Sequence, residues 1–243
     1  SYMIIDERMV TYINSLDTGH TPFLENLERT AKQDRVPIIR REMQSFLKVF
    51  LKMKQPKRIL EVGTAVGFSA VFMAQYGEPD AEITTIENYE KRIPIARENF
   101  EKSGFADRIT LIPGDAAEVL KTLDGPYDFI FMDAAKGQYI HFLPEVLRLL
   151  DEHGVLITDN VLQDGDVIES HFAVERRNRT IHKRMREYLF ELTHNPELLT
   201  SVVPLGDGIA ITMKQRRKNK TSEDIPEQKE PGNRMIEIRE ETT

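Results

Sequence analysis

A doubly wound α/β domain with a mostly parallel sheet is what the sequence predicts. Five short runs of β-branched and apolar residues recur through the middle of the chain, and segments with apolar residues at three- and four-residue spacing separate them. Strands this apolar are buried on both faces, the condition of a parallel sheet covered by helices. The length agrees: 243 residues, at roughly 150 per domain, hold one sizeable domain.

Ahead of the sheet, residues 4–53 read as two or three helices, interrupted at Thr18-Gly-His-Thr-Pro22 and at Val36-Pro37, where glycine and proline break the pattern. This helical cap, 1–53, is expected to lie over the open end of the sheet. The core, 57–214, follows, with strands at 58–62, 82–86, 108–112, 127–132 and 154–158 and helices at 69–76, 91–103, 116–123 and 139–150. Two more β-type runs, 199–203 and 208–213, are separated only by Pro204-Leu-Gly-Asp207, so they are expected to pair antiparallel at one edge, making seven strands. Beyond residue 214 the composition turns to Lys214-Gln-Arg-Arg-Lys-Asn-Lys220 and a mixed-charge stretch poor in apolar residues. Residues 215–243 therefore read as a charged, flexible tail.

Composition excludes several classes of function. The absence of cysteine removes disulfides, thiolate nucleophiles and cysteine-bound zinc or iron–sulfur centres. No run approaches the ~20 apolar residues that span a bilayer, and no leader segment is evident, so a cytoplasmic location without membrane contact is expected. The six histidines are scattered and no G-x-S-x-G motif occurs, which leaves hydrolase readings weak. The net charge of −7 argues against a surface coated for nucleic acid, DNA included, but not against a local basic patch.

An acid stands at or just after the end of each predicted parallel strand: Glu61, Glu87, Asp115, Asp133 and Asp159. The crevice outside the carboxyl ends of such strands is where doubly wound sheets bind ligands, so five carboxylates are expected to converge there. Singly, each could be a helix cap, Asp115 most readily. Together they would repel one another unless a cationic ligand or a metal neutralised them. The first turn, Glu61-Val-Gly-Thr-Ala-Val-Gly-Phe-Ser69, has two glycines for a sharp turn and close ligand approach, but not the G-x-G-x-x-G spacing that seats a pyrophosphate. An acidic turn suits a ligand with an amino group and a sulfonium, and Glu87 is placed to accept from both hydroxyls of a ribose.

Glu61-Val-Gly-Thr-Ala-Val-Gly-Phe-Ser69, Met132-Asp-Ala-Ala-Lys136, Thr158-Asp-Asn160 and Gly206-Asp-Gly208, in that order, resemble the signature of the metal-dependent class I O-methyltransferases of the catechol and caffeoyl-CoA type, which have a Rossmann-like fold. The likeness runs through nearly the whole chain up to Lys214. More narrowly, Asp133-Ala-Ala-Lys-Gly-Gln-Tyr139, Ile157-Thr-Asp-Asn-Val-Leu162 and Val203-Pro-Leu-Gly-Asp-Gly-Ile-Ala210 resemble the bacterial subfamily that methylates 5-hydroxyuridine to 5-methoxyuridine at the tRNA wobble position. The resemblance implies an S-adenosylmethionine site formed by Ile39, Glu61, Gly63, Ser69, Glu87, Asp115, Ala116 and Asp133. It implies a Mg²⁺ site, with Mn²⁺ as an alternative, at Asp133, Asp159 and Asn160, a hard oxygen donor set. Asp133 and Lys136 would be catalytic, Lys136 as general base, against the plain alternative of a solvated lysine heading a helix.

The acceptor is read from the basic stretch Glu175-Arg-Arg-Asn-Arg-Thr-Ile-His-Lys-Arg-Met-Arg186, which holds six basic residues against one acid. Arg176, Arg177, Arg179, Lys183 and Arg184 are its candidate contacts to the anticodon loop of tRNA, with Arg35, Arg40 and Arg41 extending the patch. The plain alternative is a solvated helix with Ile181, Met185 and Leu189 turned inward. A small catechol or caffeoyl-CoA-like acceptor is the rival substrate, and a non-catalytic adenosyl-ligand-binding protein is the rival outside enzymes. The family further implies a homodimer, with the N-terminal helices and the sheet edge at its interface.

Overall fold

The computed structural model describes residues 5–162, 167 and 174–215. Three helices, α1 (Glu7–Ser15), α2 (Pro22–Gln33) and α3 (Arg41–Lys54), precede β1 (Arg58–Val62), α4 (Phe68–Tyr76), β2 (Glu82–Glu87) and α5 (Ile93–Ser103). Then follow β3 (Ile109–Pro113), α6 (Ala116–Thr122), β4 (Tyr127–Met132), α7 (Tyr139–Leu149), β5 (Leu150–Thr158), α8 (Arg179–His194), β6 (Leu198–Val203) and β7 (Ile209–Lys214). The seven strands form one sheet in the order β3-β2-β1-β4-β5-β7-β6. Strands β1 to β5 pair in parallel, and β7 lies antiparallel between β5 and β6. This is a Rossmann-like, doubly wound architecture, with its antiparallel strand at the β6 side of the sheet.

The predicted strands lie within a residue of the observed ones except β5, which begins at Leu150 rather than 154. Its extra length passes through Asp151, Glu152 and His153, polar residues on a partly solvated stretch that interrupts the apolar run. Alternation divides the core in two. Ile59, Ile83, Phe129, Phe131 and Ile157 face α3, α4 and α5, whereas Leu60, Ile86, Ile130, Met132 and Leu156 face α6, α7 and α8.

The N-terminal helices do not lie over the open end of the sheet. They add a layer to one face: Leu24, Leu27, Met43, Leu47 and Leu51 join the cluster built on α4, and the Phe50 ring meets that of Phe129 at 4.8 Å. The linker before α3 and Met43 in the first turn of α3 reach the strand ends. Arg41 holds that linker from behind by pairing with Glu25 at 2.6 Å and Glu28 at 3.1 Å, and it keeps the Glu25 carboxyl down at a pKa of about 2. Gln44 donates to both Glu28 and the Ile39 carbonyl at 2.8 Å, fixing the linker's last residues.

The strand ends are in register, with Val62 opposite both Ile86 and Met132, and Met132 opposite Thr158. The loops after β1, β2, β4 and β5 therefore open on one edge. After β1, β3, β4 and β5 the first loop amide continues the ladder: Gly63 donates to Ile86, Gly114 to Glu87, Asp133 to Val62 and Asp159 to Met132.

Phe129 is fully buried where α3 meets the sheet. Its replacement by alanine is expected to cost about 3–5 kcal/mol in denaturant unfolding, as for other large aromatic deletions from a packed core.

Candidate functional site

A cavity of about 460 Å³ opens along this edge, within the usual range for sites that bind small molecules. Gly63 and Ser69 from the β1–α4 segment, Glu87 from β2, Asp115 and Ala116 at the start of α6, Asp133 after β4, and Asp159 and Asn160 after β5 line it. So do Ile39 from the linker before α3, and Arg40 and Asp207.

Four of the five strand-end acids reach the wall, and Glu61 does not. It sits one residue inside β1, fully buried beneath the first turn, where the Thr85 hydroxyl donates to Oε1 at 2.6 Å. The Thr64 hydroxyl, on the cavity wall, is hydrogen-bonded to that of Thr85 at 2.6 Å. The other carboxyl oxygen of Glu61 has no hydrogen-bond partner among the described residues. Burial, reinforced by the charges of Asp133 and Glu87, pushes its pKa up to about 8, so the group is largely neutral at pH 7. A strand's alternation decides this: Glu61 points to the same face as Ile59, away from the crevice.

The other acids are held by main chain. Glu87 accepts from the amides of Ala65, Asn88 and Tyr89 at 2.8, 3.0 and 3.1 Å, which presents its carboxylate rigidly to the cavity. Asp115 caps α6, accepting from Ala117 at 2.8 Å. The glycines serve chain packing rather than only ligand approach. At Gly63, with φ +103°, a Cβ would lie 1.9 Å from the Asp133 carbonyl oxygen, and at Gly67, with φ +91°, 2.6 Å from the Phe100 ring.

Asp133, Asp159 and Asn160 form the opposite corner. Asn160, in a left-handed conformation at φ +60°, donates from Nδ2 to Asp133 at 2.9 Å and from its amide to Asp159 at 2.8 Å. Tyr139, fully buried, joins the two loops beneath them by donating to the Asp159 carbonyl at 3.1 Å and accepting from the Ala134 amide at 3.3 Å. Among the described residues no three of His, Cys, Asp and Glu are placed to hold a metal ion. A cation here would need Asn160 beside the two carboxylates, with its amide turned so that the oxygen replaces the nitrogen.

Lys136 opens the 3₁₀ turn Lys136–Gln138, next to Asp133 in sequence; its side chain lies outside the described residues. Of the basic stretch, Arg176, Arg177 and Lys183 are exposed on or beside the first turn of α8, with Arg177 paired to Glu175 at 2.7 Å and Lys183 near Glu187 at 3.8 Å. Arg179 and Arg184 turn partly toward protein, donating to the carbonyls of Val174 and Gly137 at 3.3 and 3.4 Å. None of the five lines the cavity. Met185 is buried and Ile181 and Leu189 are half-buried, as an amphipathic helix requires. Arg35 is exposed, while Arg41 belongs to the network behind the linker. Except for Gln215, the tail at 215–243 lies outside the described residues. Among the described residues no helix is long and apolar enough to cross a membrane.

Residues 14–215 match the family model described as O-methyltransferase. The catechol O-methyltransferase of Mycobacterium tuberculosis is 31% identical over 160 residues, 65% of this chain and 73% of that protein. Among solved structures, a Staphylococcus aureus protein described as a putative caffeoyl-CoA O-methyltransferase superposes with a TM-score of 0.76 at 32% identity, covering 86% of this chain and 98% of the other. An SAH-bound methyltransferase of Podospora anserina gives 0.79 at 27% identity, covering 89% and 99%.

The buried carboxyl sets a pH signature. Glu61 has a folded-state pKa above its unfolded value, so the folded chain holds a proton that the unfolded chain releases, and stability falls as pH rises from about 4.5 to about 8. Glu61→Gln keeps an acceptor for Thr85 without the ionisation. Its melting temperature relative to the parent is expected to rise across that window in thermal unfolding at pH 5, 6, 7 and 8, and a constant difference would contradict the assignment.

Proposed function

The chain belongs to the O-methyltransferase family, and on that premise we propose that it transfers a methyl group from S-adenosylmethionine to a ring hydroxyl, with 5-hydroxyuridine at the tRNA wobble position as the acceptor. The observation that carries the reading is one cavity with two differently built ends, the Glu87–Asp115 side and the Asp133–Asp159–Asn160 corner. The donor suits the first. The wall from 63 to 69 offers no cation and the nearby acids would repel a diphosphate, while an amino group, a sulfonium and a ribose diol all find acceptors. Glu87, clamped by three amides, is oriented to accept from ribose hydroxyls, Ala116 would meet the adenine, and Ser69 the donor's carboxylate.

The corner of two carboxylates and one amide suits Mg²⁺ or Mn²⁺ by donor type. Such a cation, when bound, makes an acceptor hydroxyl easier to deprotonate. What remains for the chain is alignment and removal of one proton. Asp133 and Asp159 orient the corner, and Lys136, at the head of the turn that brings Gln138 to the cavity, takes the proton on Nζ.

The ring of 5-hydroxyuracil bears a hydroxyl beside a carbonyl, two vicinal oxygens like those of a catechol. The unpaired wobble base enters a pocket without duplex opening. Exposed Arg176, Arg177 and Lys183 support a polyanionic acceptor, because α8 packs on the cavity's rim through Arg184 and Gly137. The catechol and caffeoyl-CoA names of the relatives favour a second reading, a small dihydroxyaryl acceptor. We place the protein as a homodimer, supported by Tyr12 on α1 and Leu16 directly after it, 63% and 65% exposed; light scattering in solution checks it.

Incubating tRNA that lacks the modification with labelled donor, with and without Mg²⁺, and analysing nucleosides by mass spectrometry tests the acceptor against a parallel catechol panel. Metal-dependent 5-methoxyuridine is the expected product, and methylation of catechols alone would select the second reading. Asp133→Ala and Lys136→Ala are each expected to lower kcat by about 100-fold or more on the accepted substrate, and near-normal turnover would remove that residue from the mechanism.

A further inference from the structure

Two consecutive arginines stand before and at the start of α3, and they point to opposite tasks. Arg41 turns inward to Glu25 and Glu28, whereas Arg40 lines the cavity and meets Asp207 of the β6–β7 loop at 2.7 Å. This ion pair joins the N-terminal segment to the far edge of the sheet across the cavity. Its location is on the acceptor side: the Asp207 and Gly208 carbonyls accept from the amides of Leu162 and Val161 at 3.1 Å, directly after Asn160. The pair is partly shielded, the side chains being 33% and 20% exposed. The Arg40 stem packs beside Gly206, where a Cβ would make an ordinary contact with its Cδ at 3.7 Å.

We propose that Arg40 recognises an anionic substituent, phosphate or carboxylate, on the methyl acceptor, and that Asp207 holds the guanidinium in place until such a group arrives. The inference rests on the O-methyltransfer reading of the same cavity. A guanidinium offers a planar fork of donors that matches both anions. An anionic acceptor exchanges one ionic partner of Arg40 for another, whereas a neutral one that separates the pair offers nothing in return, so the pair discriminates against neutral acceptors. A phosphate would come from a nucleotide and a carboxylate from an organic acid, and paired probes tell these sources apart.

The test uses the full chain with Mg²⁺ and two acceptor pairs that differ only in charge: 5-hydroxyuridine with its 5′-monophosphate, and catechol with 3,4-dihydroxybenzoate. Binding is measured by calorimetry in the presence of S-adenosylhomocysteine, and kcat/KM with S-adenosylmethionine. The parent is expected to favour the charged member of at least one pair by about tenfold or more, the scale of a charge-assisted contact. Arg40→Gln should bring that ratio within about twofold, and Arg40→Lys should keep part of it. A preference confined to the nucleotides assigns the phosphate source, and one confined to the benzoate the carboxylate source. No preference in either pair, or a ratio that survives Arg40→Gln, overturns the proposal. If none of the four compounds is methylated, the binding ratios still judge Arg40, and the acceptor reading is judged separately by the tRNA incubation.

Discussion

The site depends on a single close approach between two turns of main chain. The β1 and β4 strands end level with each other, and at Gly63 a side chain of any size would occupy the space of the Asp133 carbonyl. With only a hydrogen there, the turn that begins the Glu87 side of the cavity and the turn that bears Asp133 share one wall. The parallel register of β3, β2, β1, β4 and β5 then sets the spacing of everything else, because the loops after β1, β3, β4 and β5 each begin with an amide bonded to the end of a neighbouring strand. The position of a functional side chain is thus fixed by sheet geometry before side-chain packing contributes.

Crowding acids at one edge is unfavourable, and the chain handles each one differently. Glu61 is sunk beneath the turn and held protonated; Glu87 is satisfied by three amides; Asp115 serves a helix end. Asp133 and Asp159 sit over the Tyr139 hydroxyl bridge, with the Asn160 amide against both. Burial and the neighbouring carboxylates push the Tyr139 hydroxyl well above its usual range, so it serves that bridge as a neutral group. Positive charge reaches the cavity from opposite ends, as Arg92 beside Tyr89 and Arg40 beside Asp207. The acidic composition is therefore compatible with a cavity that treats its two ligands by different electrostatic rules.

Much of this was legible in the sequence because apolar runs of five or six residues mark buried parallel strands unambiguously. The strand ends followed, and with them Glu87, Asp115, Asp133, Asp159 and Asn160. Glu61 was harder to place, since its neighbours do not reveal which way alternation turns one residue inside a strand. The N-terminal helices were legible as helices, but their docking on a face rather than over the end depends on Phe50 finding Phe129, a contact no local pattern encodes. The same holds for Arg40 and Asp207, which meet only because β7 returns beside β5. Basic residues in a row suggested one function for five side chains, and the helix period divided them, leaving Arg176, Arg177 and Lys183 outward and turning Arg179 and Arg184 toward the protein.

The insertion of β7 between β5 and β6 has a consequence for how the chain matures. Strands β1 to β5 can assemble as they are synthesised, yet the outer edge of β5 has no partner until β7 has emerged, with Lys214 closing the pairing by reaching the Leu150 carbonyl at 2.6 Å. For that interval the nascent sheet carries an open apolar edge, the kind of surface that recruits other chains. The segment that completes the cavity wall with Asp207 is also the one whose arrival removes that hazard, so an unfinished chain at once lacks part of its cavity and is prone to aggregate.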